Sequence, residues 1–452
     1  MRKEESCAIL LRMKKRWQFN QRQALILGGI LIFFLVFGLG SASGYIFRLK
    51  QDKLSFLKPS QEDVYIRFLF EIYDQIQANY WDFVSDEQLS NLFQLGAEKL
   101  TGSPRVLKSN DKEGIKEMVV EITKDLDEEK KKEFVIQLAD IVLANLKPFG
   151  HSRLYTEKLE QDLKNRVDNI RPEINQYEVL EVEEDATQDE LKLAYEEKTR
   201  ELEPKKDESE EARQEYEQVQ QAYKVLGEEE SREIYDESGV EPTMDYKLIR
   251  PEIFWLHLKK FSPTTFDELK RVTEAVDKGG ELDTLILDLR DNVGGAIDGL
   301  PYFLGPFIGA EQYAYQFYHQ GEKTDFKTRT GWLPSLVRYK KVVVLVNEGT
   351  QSSAEVMAAT LKRYNVGVVV GASTKGWGTV EKVFALKTQI DPNEKYSMFL
   401  VHSLTLRDDG EPIQDKGVDP TININNPGWE EQLMAYFNYP ELVEAVKEIL
   451  SG

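Results

Sequence analysis

Hydrophobic positions recur along the chain with three different periods. From Ala24 to Phe47 no charged residue occurs, and Ile30–Phe37 is apolar on every side. At the helical rise the run measures roughly 36 Å, enough to cross a ~30 Å hydrocarbon layer with some tilt. Between 59 and 165 the pattern becomes helical: Phe68, Ile72, Ile76 and Tyr80 recur every four residues. Further stripes follow at Met118, Val119 and Ile122, then at Phe134, Leu138, Ile141 and Val142. Residues 174–240 predict two amphipathic helices joined by the charged loop Glu203-Pro204-Lys205-Lys206-Asp207. One helix opens at Asp189; the other carries Tyr216, Val219, Tyr223 and Leu226, with Gly227 at its C-cap position.

After residue 245 the texture changes. Leu285–Leu289, Val342–Val346 and Val366–Val370 are short apolar runs of the kind that form buried parallel strands. Glycine turns and helical stretches separate them, which predicts an α/β core with its site at the strand ends. Residues 429–452 read as amphipathic helices through Leu433, Phe437, Leu442, Val446 and Leu450, packing on the core or mediating oligomerisation.

Composition and charge narrow the function. The 452 residues carry a formal net charge of −21, which argues against a nucleic-acid partner, since a phosphate backbone selects clustered Lys and Arg. The basic residues at the start are the exception. Arg2, Lys3, Arg12, Lys14, Lys15, Arg16 and Arg22 face only Glu4 and Glu5 within residues 1–22. A basic flank before an apolar run stays in the cytoplasm. The expectation is therefore a cytoplasmic tail at 1–22 and a single-pass anchor at 23–48 in a bacterial-type plasma membrane, with the bulk of the chain extracytoplasmic. Ser41-Ala42-Ser43 offers small residues for signal-peptide cleavage, but the apolar stretch resumes at Tyr45-Ile46-Phe47, which favours an uncleaved anchor. The single Cys7 permits no intrachain disulfide, and no cofactor is expected. Four histidines lie scattered without ligand spacing, so no metal site is expected and each reads as a surface or packing residue.

The glycine turns carry the candidate chemistry. Leu285–Leu289 runs into Arg290-Asp291-Asn292-Val293-Gly294-Gly295, and Val342–Val346 runs into Asn347-Glu348-Gly349-Thr350-Gln351-Ser352. A serine at a strand-to-helix turn presents its hydroxyl where free backbone N–H groups can hold an oxyanion. The same position suits an ordinary N-cap serine, and spacing alone does not separate the two.

Two family resemblances add to this reading. The stretch from about 252 to 425 resembles the tail-specific (C-terminal processing) serine peptidases. Leu285–Gly295, Val346–Glu355 and Gly410 with Ile413-Gln414 and Lys416–Pro420 are similar to that family's motifs, and Gly96-Ala97 and Lys147–Leu154 to its N-terminal helical region. The resemblance implies an α/β core related to the crotonase and Clp-protease folds, acting on polypeptides. It implies Ser352 as nucleophile, with the N–H groups of Ser352 and Gly294 as oxyanion donors. The general base of the family is a lysine, whose place in Thr374-Lys375-Gly376-Trp377-Gly378 is taken by Trp377. The assisting glutamine is replaced by Glu381.

A serine hydroxyl is a poor nucleophile without a base within reach, and base assistance is worth ~10²–10⁴-fold. Indole accepts no proton. Lys375 could serve if the loop shifted by two residues, and otherwise reads as a surface lysine. Glu381 could serve as base only with a raised pKa. These departures point to impaired catalysis in a polypeptide-binding protein; the alternative is an active serine endopeptidase using Lys375 or Glu381.

The second resemblance covers 174–240. Tyr177-Glu178-Val179-Leu180, Ala222–Leu226 and Arg232–Asp236 look like the motifs of a J-domain, in the slot where the peptidase family usually carries a PDZ domain. The J-domain's His-Pro-Asp tripeptide reads Glu203-Pro204-Lys205 here. That implies a structural or protein-binding arm and no stimulation of a chaperone ATPase.

Overall fold

Strand alternation explains how the central sheet is buried on both faces. In β4 (Thr284–Asp288), Leu285 and Leu287 point into one core and Ile286 into another. In β7 (Lys341–Val346), Val342, Val344 and Val346 join the first core while Val343 and Leu345 join the second. This is why both strands read as continuous apolar runs.

The computed structural model describes residues 63–206, 208–276 and 282–451. The apolar run assigned to an anchor at 23–48 lies outside the described residues. Among the described residues, no helix is long and apolar enough to cross a membrane.

In chain order, α1 (Val64–Asn79), α2 (Asp86–Thr101), α3 (Lys112–Thr123) and α4 (Glu128–Ala144) lead to β1 (Arg153–Thr156) and α5 (Glu157–Asp168). Each of α1–α4 starts at a Ser or Asp whose side chain accepts a backbone N–H of the first turn. Next come α6 (Gln176–Leu180), α7 (Gln188–Leu202), α8 (Glu210–Leu226) and α9 (Glu229–Ser238). The strands β2 (Met244–Arg250) and β3 (Ile253–Leu258) precede α10 (Thr265–Val276) and β4; α11 (Leu300–Ile308), β5 (Tyr313–His319), β6 (Glu322–Lys327) and α12 (Pro334–Val337) precede β7. The chain continues through α13 (Ser353–Arg363), β8 (Val368–Gly371), β9 (Thr379–Ala385), β10 (Tyr396–Leu406) and β11 (Ile422–Asn423) to α14 (Trp429–Phe437) and α15 (Pro440–Ser451).

Two sheets result. The six-stranded one runs β11-β8-β7-β4-β3-β2, parallel except for β2 against β3. Its first core includes Leu269 and Val272 of α10 and Met357 and Leu361 of α13; the second takes Leu433, Leu442 and Val446 of the last two helices. The other sheet runs β1-β10-β5-β6, with β9 also paired to β10. Helices α1–α4 pack on it, Phe68, Leu138 and Val142 sharing a core with Met398 and Leu400 of β10.

Residues 176–238 build their own small core from Tyr177, Leu180, Leu191, Val219, Ala222 and Leu226. Its opening and closing segments meet. The Tyr177 hydroxyl donates to Asp236 Oδ1 at 2.7 Å, and Arg232 Nε donates to the Tyr177 oxygen at 2.8 Å. Glu241, 4% exposed, ties this module to the segments flanking it. It accepts two bonds from the Arg171 guanidinium at 2.9 and 2.6 Å, one from Gln176 Nε2 at 2.6 Å and one from Gln221 Nε2 at 3.1 Å. A bidentate, nearly buried pair of this kind is costly to break from one side. Glu241→Ala is expected to cost about 1–3 kcal/mol locally and to raise amide hydrogen exchange across α6 and α8 while β4 and β7 stay protected. Unchanged exchange in α8 would show that Glu241 does not hold the module.

Candidate active site

The site forms where β4 and β7 end. The loop after β7 is fastened, by its side chains and its backbone, to the backbone of the loop after β4. Asp291 N–H donates to Asn347 Oδ1 at 2.9 Å, Thr350 Oγ1 donates to Leu289 O at 2.7 Å, and Gln351 N–H donates to Asn292 O at 3.0 Å. Asn292 is fully buried and also donates through Nδ2 to Leu258 O at 2.7 Å.

Ser352 follows, immediately before α13, with φ 57° and ψ −126°. Such a backbone in a residue with a Cβ costs on the order of 1–3 kcal/mol and persists only where the surroundings over-determine it. Gly294 supplies part of that constraint. Its φ is +82°, and a Cβ there would lie 2.6 Å from Ser352 Cβ and 3.1 Å from Ser352 Oγ. The glycine lets the β4 loop close directly on the serine.

Glu355 supplies the rest. It is fully buried, and its carboxylate accepts four bonds: Ser352 N–H at 2.9 Å, Thr374 Oγ1 at 2.5 Å, Gly376 N–H at 2.7 Å and Trp377 N–H at 2.8 Å. Burial pushes its pKa up from the ordinary carboxylate value, while the hydroxyl and N–H donors act in the opposite direction. Ser352 and the loop at 374–377 are thus fastened to one carboxylate. The C-terminal motif clamps the same loop from outside: Gly378 N–H donates to Gln414 Oε1 at 2.9 Å and Val418 N–H to Thr374 Oγ1 at 2.8 Å.

This arrangement bears on three expectations. The two oxyanion donors are engaged, Ser352 N–H by Glu355 and Gly294 N–H by Asn292 Oδ1 at 2.8 Å. Buried N–H groups take acceptors, and polar side chains of the site itself provide them here. Lys375 is exposed and does not line the cavity next to Ser352. A two-residue shift that would carry it inward would break the Glu355 bonds to Gly376 and Trp377. Finally, His151, expected as a surface or packing residue, lines the same cavity as Ser352.

Ser352, Gly294, Trp377, Glu381 and His151 all line one cavity of about 500 Å³. The indole of Trp377 is 37% exposed and lies 4.2 Å from the His151 ring, centre to centre. His151 Nδ1 is 2.9 Å from Thr379 Oγ1 and 3.6 Å from Glu381 Oε1, and the Thr379 hydroxyl donates to Glu381 at 2.5 Å. His151 sits just before β1, whose pairing with β10 (Arg153 opposite Phe399) carries it across more than 200 residues of sequence to the site. Its position within the Lys147–Leu154 motif was the available signal.

Gly294→Ala is expected to push the β4 loop off Ser352 and lower stability by roughly 1–3 kcal/mol, seen as a lower thermal midpoint. An unchanged midpoint would mean that the close approach is not needed.

Comparison with known proteins is consistent with this geometry. Residues 252–424 match Peptidase family S41, and residues 175–236 match the DnaJ domain. A CtpA-like serine protease of Staphylococcus epidermidis is 32% identical over 177 residues, 39% of this chain and 34% of that protein. The carboxy-terminal processing protease CtpA of Bacillus subtilis is 31% identical over 175 residues, 38% of this chain and 35% of that protein. The chain thus spans about a third of the length of these relatives. Among solved structures, a lipoprotein from Streptococcus agalactiae is 12% identical with a TM-score of 0.44, covering 85% of this chain and 99% of that one. A photosystem II D1 C-terminal processing protease is 19% identical with a TM-score of 0.34, covering 41% of this chain and 49% of that one. Residues 252–424 are thus similar to peptidase family S41, as in the CtpA-like serine proteases, and residues 175–236 to the DnaJ domain.

Proposed function

We propose that this protein is a membrane-anchored, extracytoplasmic binder of unfolded or exported polypeptides, built on a serine peptidase core whose lysine-dependent catalysis is lost. One observation carries the reading. Trp377 stands at the lysine's place, lines the cavity with Ser352, and has its backbone fixed by Glu355. The engaged N–H groups of Ser352 and Gly294 support it, since a peptide oxyanion would have to displace two side-chain acceptors. The charge-free run at 24–47 behind a basic flank supports the anchor and its direction. Glu203-Pro204-Lys205 supports a DnaJ-type domain acting as a binding arm and not as a stimulator of a chaperone ATPase.

A second reading rests on His151. With Nδ1 beside the Thr379 hydroxyl and the Glu381 carboxylate, its ring lines the cavity that Ser352 lines, and an imidazole is a group that can take a serine's proton. In that reading the protein is an active serine endopeptidase, with Glu381 acting through the histidine.

Proteolysis separates the two. The full-length chain in mild detergent is incubated with an unfolded protein, alongside Ser352→Ala, Trp377→Lys and His151→Gln. The first reading expects no cleavage by the native chain and cleavage gained in Trp377→Lys. Cleavage by the native chain that vanishes in both Ser352→Ala and His151→Gln would overturn it in favour of the second, with a loss of ~10²-fold or more in each.

A further inference from the structure

The chain is strongly acidic, yet the cavity beside Ser352 is lined by three cations, Arg153, Arg166 and Lys260, and by a single carboxylate, Glu381. That carboxylate is already engaged by the Thr379 hydroxyl. The basic residues in and around the cavity differ in one respect. Arg153 lies 3.7 Å from Asp140, Lys259 3.2 Å from Asp245, and Arg171 2.6 Å from Glu241. Among the described residues, Arg166 and Lys260 have no carboxylate within ion-pairing distance.

Both groups are held in place without a counter-ion. Lys260 precedes Phe261, whose N–H donates to Gly294 O at 2.9 Å and whose carbonyl accepts Ala296 N–H at 3.0 Å, so its backbone is pinned beside the serine turn. Burial, and then the charge of Arg166, push its pKa down; Glu241 and Asp168 act the other way without closing an ion pair. The Arg166 guanidinium lies near the Tyr155 hydroxyl, opposing the rise that burial gives the Tyr155 pKa. Lys260 is half-buried and Arg166 exposed, and two like charges facing one space repel each other until an anion joins them.

The walls are apolar. Leu163, Arg166 and Val167 fall on one face of α5, a helix with no buried residue, and that face looks into the cavity. The Tyr155 and Phe399 rings are stacked at 4.8 Å with a 6° interplanar angle, and both line the cavity. Two uncompensated cations next to aromatic and aliphatic walls match a carboxylate attached to an apolar stretch of chain.

We propose that Arg166 and Lys260 form a carboxylate-binding subsite in the Ser352 cavity, with Leu163, Val167 and the Tyr155–Phe399 pair taking the side chains next to that carboxylate. The proposal rests on the polypeptide-binding reading above. The carboxylate has two possible sources, a free chain terminus or an internal Asp or Glu, and both present the same anion to the two cations.

The test uses fluorescence anisotropy at low salt, with the full-length chain and three labelled apolar peptides of one sequence. One ends in a free carboxylate, one in an amide, and one is the amide with a Glu inserted near its end. A carboxylate-bearing peptide is expected to bind roughly tenfold tighter than the plain amide. Arg166→Gln and Lys260→Gln are each expected to remove most of that preference, and an unchanged circular dichroism spectrum and thermal midpoint report that each variant is folded. Whichever carboxylate-bearing peptide gains identifies the source. Equal binding of all three peptides, or a preference that survives in both variants, overturns the subsite and leaves polypeptide binding standing. No binding of any peptide overturns the polypeptide reading and the subsite with it.

Discussion

The buried carboxylate of Glu355 is the constraint on which the rest of the site depends. A carboxylate removed from water must fill its acceptor positions, and Glu355 fills them with one hydroxyl and three backbone N–H groups from two separate segments. The consequence is geometric. The turn that strains Ser352 and the loop that carries Trp377 cannot move independently, because both are fastened to the same two oxygens. Gly294 closes the third side, and Gln414 and Val418 close the loop from outside. A frame of this rigidity suits an active site, yet the side chain it presents at the base position is an indole.

That combination explains why scaffold and chemistry part company here. In the proposed reading the strained serine, the glycine turn and the C-terminal motif keep the frame of a peptidase site, while Trp377 stands where the family resemblance puts the base. The cavity is not thereby emptied of chemistry. It holds an imidazole bonded to Thr379 beside Glu381, two cations without ion-pair partners among the described residues, and an apolar wall built from α5 and β10. Such a cavity is equipped to hold a peptide whether or not it cleaves one. The residues that match the DnaJ domain, tied down through Glu241, precede the S41-like stretch in sequence.

Much of this was legible in the chain itself. The runs at 285–289 and 342–346 form the strands whose ends carry Asn292, Gly294 and Ser352, because a buried parallel strand and a continuous apolar run are the same physical requirement. Tyr177, Arg232 and Asp236, quoted as the ends of the J-like pattern, bond one another. What stayed hidden depends on distant contacts. His151 reaches the site through the antiparallel pairing of β1 with β10, and beyond its place in the Lys147–Leu154 motif a lone histidine in a loop gives no sign of that. The capture of the Ser352 and Gly294 N–H groups was equally hidden, since Glu355 and Asn292 look like any Glu and Asn until the chain closes around them. Lys375 is exposed, as a surface lysine is, and does not take the place of a base. Two residues from Trp377 in sequence, it is kept outside by bonds that begin at Glu355.

The central claim is that Ser352 is held in a nucleophile's posture without a nucleophile's activation. Its most direct test is covalent labelling of the full-length chain with a fluorophosphonate, followed by peptide mass mapping of residues 341–363. Activated serines react with such reagents because a base removes the hydroxyl proton as the phosphorus is attacked. The account predicts no adduct on Ser352 under conditions that fully label an active serine hydrolase run in parallel. A stoichiometric adduct on Ser352 would contradict it and show that the cavity supplies a working base.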